Sequence, residues 1–219
     1  EGFRNAVLEY PVVRSIRDKR IQEAVNALIG PAGQFEGLEG TALQAAFSRG
    51  ESLFDEARAE VAYNGRGILQ VIWQIKSTGA YTSEYSKTVT VDTRNGALLG
   101  SEYMFVDDLS VSHFVQSKMA PLLEKKLQDL IAVHPEEEAT IRLLMEELEY
   151  RPDMLFDAIL REDGMVFTLT GDFPQAFKEL DSGNISLFIP WQDLYPFSYQ
   201  GSILERFPEY RQAKTNKGY

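Results

Sequence analysis

Three aspartates come closest to a catalytic arrangement in this sequence. Asp92 lies at the end of a predicted strand, and Asp107 and Asp108 follow in the next connection. A pair of carboxylates on either side of a sugar linkage is what glycoside hydrolysis requires. Aspartates at the ends of strands and helices also accept hydrogen bonds from local backbone N–H groups. These positions favour turn and capping roles, and they leave hydrolysis open as an alternative.

Other residue types that commonly do chemistry are sparse. His113 and His134 lie near opposite ends of one predicted helical region. Because a helix rises about 1.5 Å per residue, they cannot bind one metal ion through that helix. The chain has no cysteine, which excludes disulfides, thiolate ligands and cysteine nucleophiles. It has no phosphate-binding glycine loop and no G-x-S-x-G or H-E-x-x-H motif. We therefore predict no catalytic residue, no bound metal and no cofactor.

The acidic composition narrows the classes of partner. The net charge is −11, which disfavours nucleic acids and anionic lipids because both attract basic surfaces. An acidic surface can attract a basic protein, and it also keeps a protein soluble. No apolar run approaches the ~20 residues that a membrane span needs. We therefore expect contact with a membrane only through an anchor that is absent from this chain.

The elements that would position these residues begin with the strands of residues 68–105. Two runs alternate with a period of two, as half-buried strands do: Leu69, Val71, Trp73 and Ile75, then Tyr85, Lys87, Val89 and Val91. Asn95-Gly96 follows and predicts a hairpin, because both residues tolerate positive φ. The sequence therefore predicts a three-stranded antiparallel meander. Tyr81 lies at the loop between the first two strands, where an exposed tyrosine suits contact with a protein or a sugar.

Flanking patterns add helices and further strands. We predict strands over residues 6–13, 59–63, 154–161, 165–170 and 185–189. We predict helices after an Asp18 cap, over residues 41–55, after a Ser110 or Ser112 cap, and from Pro135. Pro121 either kinks the third helix or marks its true start. The polar tail from Gln212 is expected to fray. The fold class is therefore α+β: an antiparallel meander sheet packed by helices, in two lobes.

The order of several short motifs resembles the DUF3298/DUF4163 family. This family comprises extracytoplasmic domains of lysozyme-sensing anti-sigma factors and domains found beside some peptidoglycan deacetylases. The similar segments are Tyr10-Pro11, Ile68-Leu69-Gln70-Val71, Gly79-Ala80, Asp92-Thr93-x-x-Gly96-x-x-Leu99, Phe105, Phe167-Thr168-Leu169-Thr170 and Leu187-Phe188-Ile189-Pro190-Trp191-x-x-Leu194. The family's loop is often G-G-A-H, whereas Thr78 and Tyr81 occupy its first and last positions here.

The resemblance implies both an organisation and a function. Residues 1–106 would form a DUF4163-like lobe and residues 107–219 a DUF3298-like lobe. The protein would be an exported bacterial cell-envelope binding or sensor domain, such as part of a lipoprotein, and it would not be an enzyme. Its partner would be a lysozyme-like basic protein or a peptidoglycan fragment. The contact residues expected are Gly79, Ala80, Tyr81 and Tyr85.

Two alternatives belong to other functional classes. One is a glycan-acting hydrolase that uses Asp92, Asp107 or Asp108. The other is an interaction or scaffold domain with no small ligand, which a flat surface without a pocket would favour.

Overall fold

A computed structural model of the protein describes residues 7–34, 55–78, 82–146, 148–170 and 184–216. The chain divides into two compact units, Glu1–Gly100 and Ser101–Tyr219. Each unit combines a sheet with helices, which confirms the predicted α+β class. The assignment of residues 1–106 and 107–219 to two family lobes stays a prediction.

The first unit is built on a five-stranded sheet. Its strands lie in chain order: β1 (Val7–Glu9), β2 (Glu56–Gly65), β3 (Ile68–Thr78), β4 (Thr82–Asp92) and β5 (Ala97–Leu98). β1 pairs with β2 in parallel, and the other neighbours are antiparallel. The meander of β3, β4 and β5 is thereby confirmed. Gly96 adopts a φ of +77° in the turn before β5, as the Asn-Gly pattern predicts.

A helix covers one face of this sheet. Helix α1 (Lys19–Ile29) begins at the predicted cap, where Asp18 Oδ1 accepts a hydrogen bond from the N–H of Arg20 at 2.9 Å. The short helix α2 (Pro31–Gln34) follows. The inner face of α1 joins the core of the sheet, which contains Val25, Ile29, Leu69, Val71, Trp73, Ile75, Val89 and Val91. The predicted helix over residues 41–55 lies almost entirely outside the described residues.

The second unit combines a three-stranded antiparallel sheet with a long helix. The sheet order is β6 (Ile159–Leu160), β7 (Gly164–Thr170) and β8 (Asn184–Pro190). The helices are α3 (Asp108–Val133), α4 (Glu138–Glu146), α5 (Trp191–Leu194) and α6 (Pro208–Asn216). Short 3₁₀ helices occupy Ser101–Tyr103, Pro135–Glu137, Pro152–Asp157, Tyr195–Phe197 and Ile203–Arg206. Among the described helices, none combines the length and apolar composition that crossing a bilayer requires.

The tryptophan that follows β8 is a core residue of this unit. Trp191 is almost fully buried, and its indole Nε1 donates to the carbonyl of Glu162 at 2.7 Å. Its ring contacts Phe207 at 4.8 Å between centroids. The segment that resembles the family's closing motif therefore has a packing role here.

The structure corrects several predicted boundaries. The cap of α3 is Asp107, and neither Ser110 nor Ser112 serves as the cap. The helix continues through Pro121, because apolar residues buried on both sides of the proline pack one continuous face. Residues 152–157 form a 3₁₀ turn, although a strand was predicted from 154. The polar tail forms α6 as far as Asn216.

Candidate binding surfaces

Of the four predicted contact residues, the structure describes one, Tyr85. Gly79, Ala80 and Tyr81 fall outside the described residues. Tyr85 lies on β4, opposite Ile75 of β3, and its side chain is 53% exposed. An exposed aromatic ring on a regular strand is a rigid contact surface that costs little entropy to order. Tyr85 therefore remains a candidate contact residue.

Charged side chains of both signs surround this part of the ribbon. Lys76 Nζ lies 2.8 Å from Glu84 Oε1 across the two strands. The hydrogen bond and charge of Glu84 raise the pKa of Lys76. Lys87 is exposed as the next residue on the same face as Tyr85. The end of the ribbon is thus a mixed-charge surface.

The three aspartates of the hydrolase alternative all make local hydrogen bonds. Asp92 is buried in the first unit, and its Oδ1 accepts from the N–H of Arg94 at 2.9 Å. Asp107 lies in the second unit and accepts from the N–H groups of Leu109 and Ser110 at 3.2 and 3.1 Å. These are the turn and capping bonds expected of aspartate at such positions.

The two adjacent carboxylates of the second unit differ in their partners. Asp107 also accepts a hydrogen bond from the hydroxyl of Ser110, which is the main reason that the pKa of Asp107 is lowered. Asp108 Oδ2 accepts from Ser101 Oγ at 2.6 Å. Both carboxylates therefore fix the start of α3. The hydrolase alternative stays an untested prediction.

Metal-ligating residues do not converge in the described part of the chain. No group of three or more histidine or acidic side chains there is placed to hold an ion. His113 lies near the start of α3, and His134 follows its last residue. His134 Nδ1 lies 3.6 Å from Glu136 Oε1. The two histidines are thus at opposite ends of one helix, as predicted.

The second unit contains an open depression that the sequence patterns did not indicate. It has a volume of about 500 Å³ and is lined by Glu102, Phe105, Val106, Asp107, Asp108 and Tyr199. The ring of Phe105 is buried, whereas the Val106 side chain is 70% exposed. The depression therefore combines apolar surface with three carboxylates.

Hydrogen bonds between distant segments hold the walls of this depression. The N–H of Val106 donates to the carbonyl of Phe197 at 2.8 Å. Tyr199 Oη donates to the carbonyl of Glu102 at 3.1 Å. Because Tyr199 follows Glu102 by 97 residues, no local pattern could place them together.

Comparison with known proteins gives a structural likeness alone. No protein-family model matches the chain, and no curated protein matches it. The structure is similar to that of a DUF3298 family member from Bacteroides fragilis, with a TM-score of 0.53 and 14% identity, over 92% of this chain and 88% of that one. A DUF3298 family protein from Pseudomonas aeruginosa gives a TM-score of 0.44 and 15% identity, over 72% of this chain and 70% of that one. What this chain shares with the Bacteroides protein is the fold.

Proposed function

We propose that this chain is a DUF3298-like binding domain of the bacterial cell envelope, exported from the cytoplasm and without catalytic activity. The fold of the Bacteroides fragilis protein supports the family, together with the order of the short motifs in the sequence. The proposed partner is a basic protein, of which lysozyme is an example, or a peptidoglycan fragment.

One observation favours binding over hydrolysis. The carboxylates of Asp92, Asp107 and Asp108 accept hydrogen bonds from turn or cap groups of their own neighbourhood. The pKa of Asp107 is lowered, whereas a general acid for glycoside hydrolysis needs a raised pKa. Asp107 is therefore not suited to act as the general acid.

The exposed ribbon end supplies a contact surface for such a partner. Tyr85 is exposed beside the fully buried Trp73 and Ile75 of the neighbouring strand, so the strand that carries it is held by the core. A rigid aromatic residue at an interface commonly contributes more than its neighbours. The overall charge of −11 favours encounter with a basic protein.

A pull-down with immobilised hen lysozyme at low salt tests this proposal. We expect retention of the chain, and a loss of about tenfold in affinity for Tyr81→Ala and Tyr85→Ala, the effect of removing an aromatic anchor. Phe156→Ala is the matched control, since Phe156 is an exposed ring of the other unit. A parallel arm uses soluble peptidoglycan fragments. The proposal would be refuted if the wild-type chain bound neither lysozyme nor the peptidoglycan fragments.

A further inference from the structure

Strand β8 forms one edge of the three-stranded sheet in the second unit. β7 pairs with one side of it, and no described strand pairs with the other side. The N–H of Trp191 donates to the carbonyl of Asp163 at 3.0 Å, and this bond fixes which residues of β8 bond to β7. Because bonding residues alternate along an antiparallel ladder, every second residue counted back from Trp191 bonds to β7. The backbone groups of the residues between them, which include Ser186 and Phe188, point outwards.

The outward backbone groups at the middle of β8 have no partner in the described part of the chain. No hydrogen bond reaches the N–H or C=O of Ser186 or Phe188 there, and both residues are exposed. Asn184 differs, because its carbonyl oxygen lies 3.5 Å from Lys126 Nζ. Pro190 also points outwards and has no N–H to donate. The edge therefore offers two complete donor and acceptor pairs between one occupied carbonyl and one missing donor.

β8 differs from the other long edge strand in its charge. Most of β4 also has no neighbour on one side, but β4 carries the exposed Glu84 and Lys87. Charged side chains on an edge strand oppose pairing with another chain. β8 contains no charged residue, and its Phe188 side chain is 44% exposed. The other described edges, β1, β5 and β6, are only two or three residues long. Addition of a strand is therefore least opposed at β8.

We propose that β8 pairs with the β8 strand of a second copy of this chain, antiparallel about a two-fold axis at Leu187. This inference concerns a different surface from the proposed function and does not depend on it. Ser186 of each copy then lies opposite Phe188 of the other, and each such pair exchanges two backbone hydrogen bonds. The exposed ring of Phe188 is partly covered by the opposite strand.

The two ends of β8 identify a second copy as the occupant. In this register, Asn184 of one copy faces Pro190 of the other. The bond that proline cannot donate is the one to the Asn184 carbonyl, which Lys126 already contacts. The other bond, from the N–H of Asn184 to the carbonyl of Pro190, can form. Every outward donor and acceptor of β8 then has a partner, whereas a strand of ordinary sequence would place a donor opposite the carbonyl that Lys126 contacts.

The net charge of the chain opposes this association. Each copy carries −11, so two copies repel each other, and salt screens the repulsion. A contact built on one pair of short strands belongs to the small interfaces that associate weakly. We therefore expect a reversible dimer that is favoured by salt, whereas salt weakens the encounter of an acidic chain with a basic protein.

Sedimentation velocity of the full chain tests the proposed dimer. The chain is measured from about 5 to 200 µM, in about 0.05 and 0.5 M sodium chloride. We expect a dimer whose fraction rises with concentration and with salt. Ser186→Lys places a charge on the edge and should weaken association at least about tenfold. The matched control is Ser86→Lys, the same substitution at an exposed position of β4, which should change association by less than about threefold.

An introduced cysteine tests the register, since the chain has no cysteine of its own. Leu187→Cys would face the same residue of the other copy, with Cα atoms about 4.5 Å apart at a non-hydrogen-bonded position. Mild oxidation should convert most of this variant to a disulfide-linked dimer on a non-reducing gel. Ser86→Cys at the same concentration should remain largely monomeric.

Three results would overturn the inference. The first is a monomer at every concentration and salt. The second is equal weakening by Ser186→Lys and Ser86→Lys, or a dimer that dissociates as salt rises, because either would place the contact elsewhere. The third is failure of Leu187→Cys to cross-link in a sample that sediments as a dimer. Circular dichroism confirms that each variant is folded; if one of the two β8 variants does not fold, the other decides.

Discussion

The neighbouring strands β3 and β4 show how position in a sheet decides burial. Both carry the same alternation, and they pair directly over their full length. β3 lies between two long strands, and its inner residues Trp73 and Ile75 are buried. Their partners on β4, Lys87 and Tyr85, are exposed. β4 therefore contributes to the core at one end and to the surface at the other.

This difference in burial between β3 and β4 follows from the elements that pack beside each strand. β5 pairs only with the last two residues of β4, whereas β2 pairs with β3 over nearly its whole length. Helix α1 supplies Ile29, whose carbonyl accepts the hydrogen bond from Trp73 Nε1 at 3.1 Å. The exposed part of β4 is therefore backed by the buried residues of β3.

The largest expected effect is at the centre of β3. Trp73→Ala should lower the free energy of unfolding by about 3–5 kcal/mol, because it removes a fully buried ring and leaves a cavity. Lys87→Ala, at the residue paired with it, should change stability by less than about 0.5 kcal/mol. Urea unfolding of both variants measures the contrast. If Trp73→Ala does not fold, Trp73→Phe, which loses the bond to Ile29, replaces it. Equal effects at the two positions would contradict the assignment of β3 to the core.

The next prediction compares Ile75 with its cross-strand partner Tyr85, two residues along the strands from Trp73 and Lys87. Ile75→Ala should destabilise the protein by about 2–4 kcal/mol, as for other buried aliphatic residues. Tyr85→Ala should leave stability within about 0.5 kcal/mol while it weakens lysozyme binding. Thermal melting and the pull-down together separate the two roles. A large stability loss in Tyr85→Ala would show that the ring is a packing residue.

A smaller effect is expected on the other face of the same strands. Gln70 is buried, and its Nε2 donates to Thr90 Oγ1 at 2.9 Å. Thr90→Val keeps the shape and removes this acceptor, which should cost about 1 kcal/mol. Ser86→Ala, at an exposed position of the same strand, is the control and should be nearly neutral. Denaturant midpoints of the two variants compare the buried and exposed parts of β4 directly, and equal midpoints would contradict the predicted difference.

The smallest effect on stability is expected from the ion pair between Lys76 of β3 and Glu84 of β4. Glu84 raises the pKa of Lys76 above 10.5. The pair's stabilisation is therefore fully present below that pH and is lost as the pH rises through the raised pKa. The melting temperature of Glu84→Gln should differ slightly from wild type by a constant amount from neutral pH up to about 10, and the difference should vanish above the raised pKa. A difference that grew with pH over this range would contradict the account.

The strands of the first unit could be predicted because their determinants are local. Period-two alternation identified β3 and β4, Asn95-Gly96 fixed the turn before β5, and Asp18 marked the start of α1. The sequence could not show that Tyr85 and Trp73 differ in burial. That difference depends on which strands lie on either side, and strand order is a long-range property.

Long-range packing also explains the errors in the second unit. Proline normally disfavours a helix interior, yet α3 continues through Pro121 because Met119 and Leu123 are buried on the same face. The depression joins residues near 102–108 with Tyr199. Sequence analysis therefore gave Asp107 and Asp108 a general turn or capping role, placed the cap of α3 at Ser110 or Ser112, and missed the depression that the aspartates line.

The most direct test of the binding account is a nuclear magnetic resonance titration of the isotope-labelled chain with hen lysozyme at physiological salt. The account predicts saturable shifts of the Tyr85 amide and of the amides of Glu84 and Lys87, its neighbours on β4. No shift under these conditions, or shifts confined to residues away from β3 and β4, such as those of α6, would contradict it.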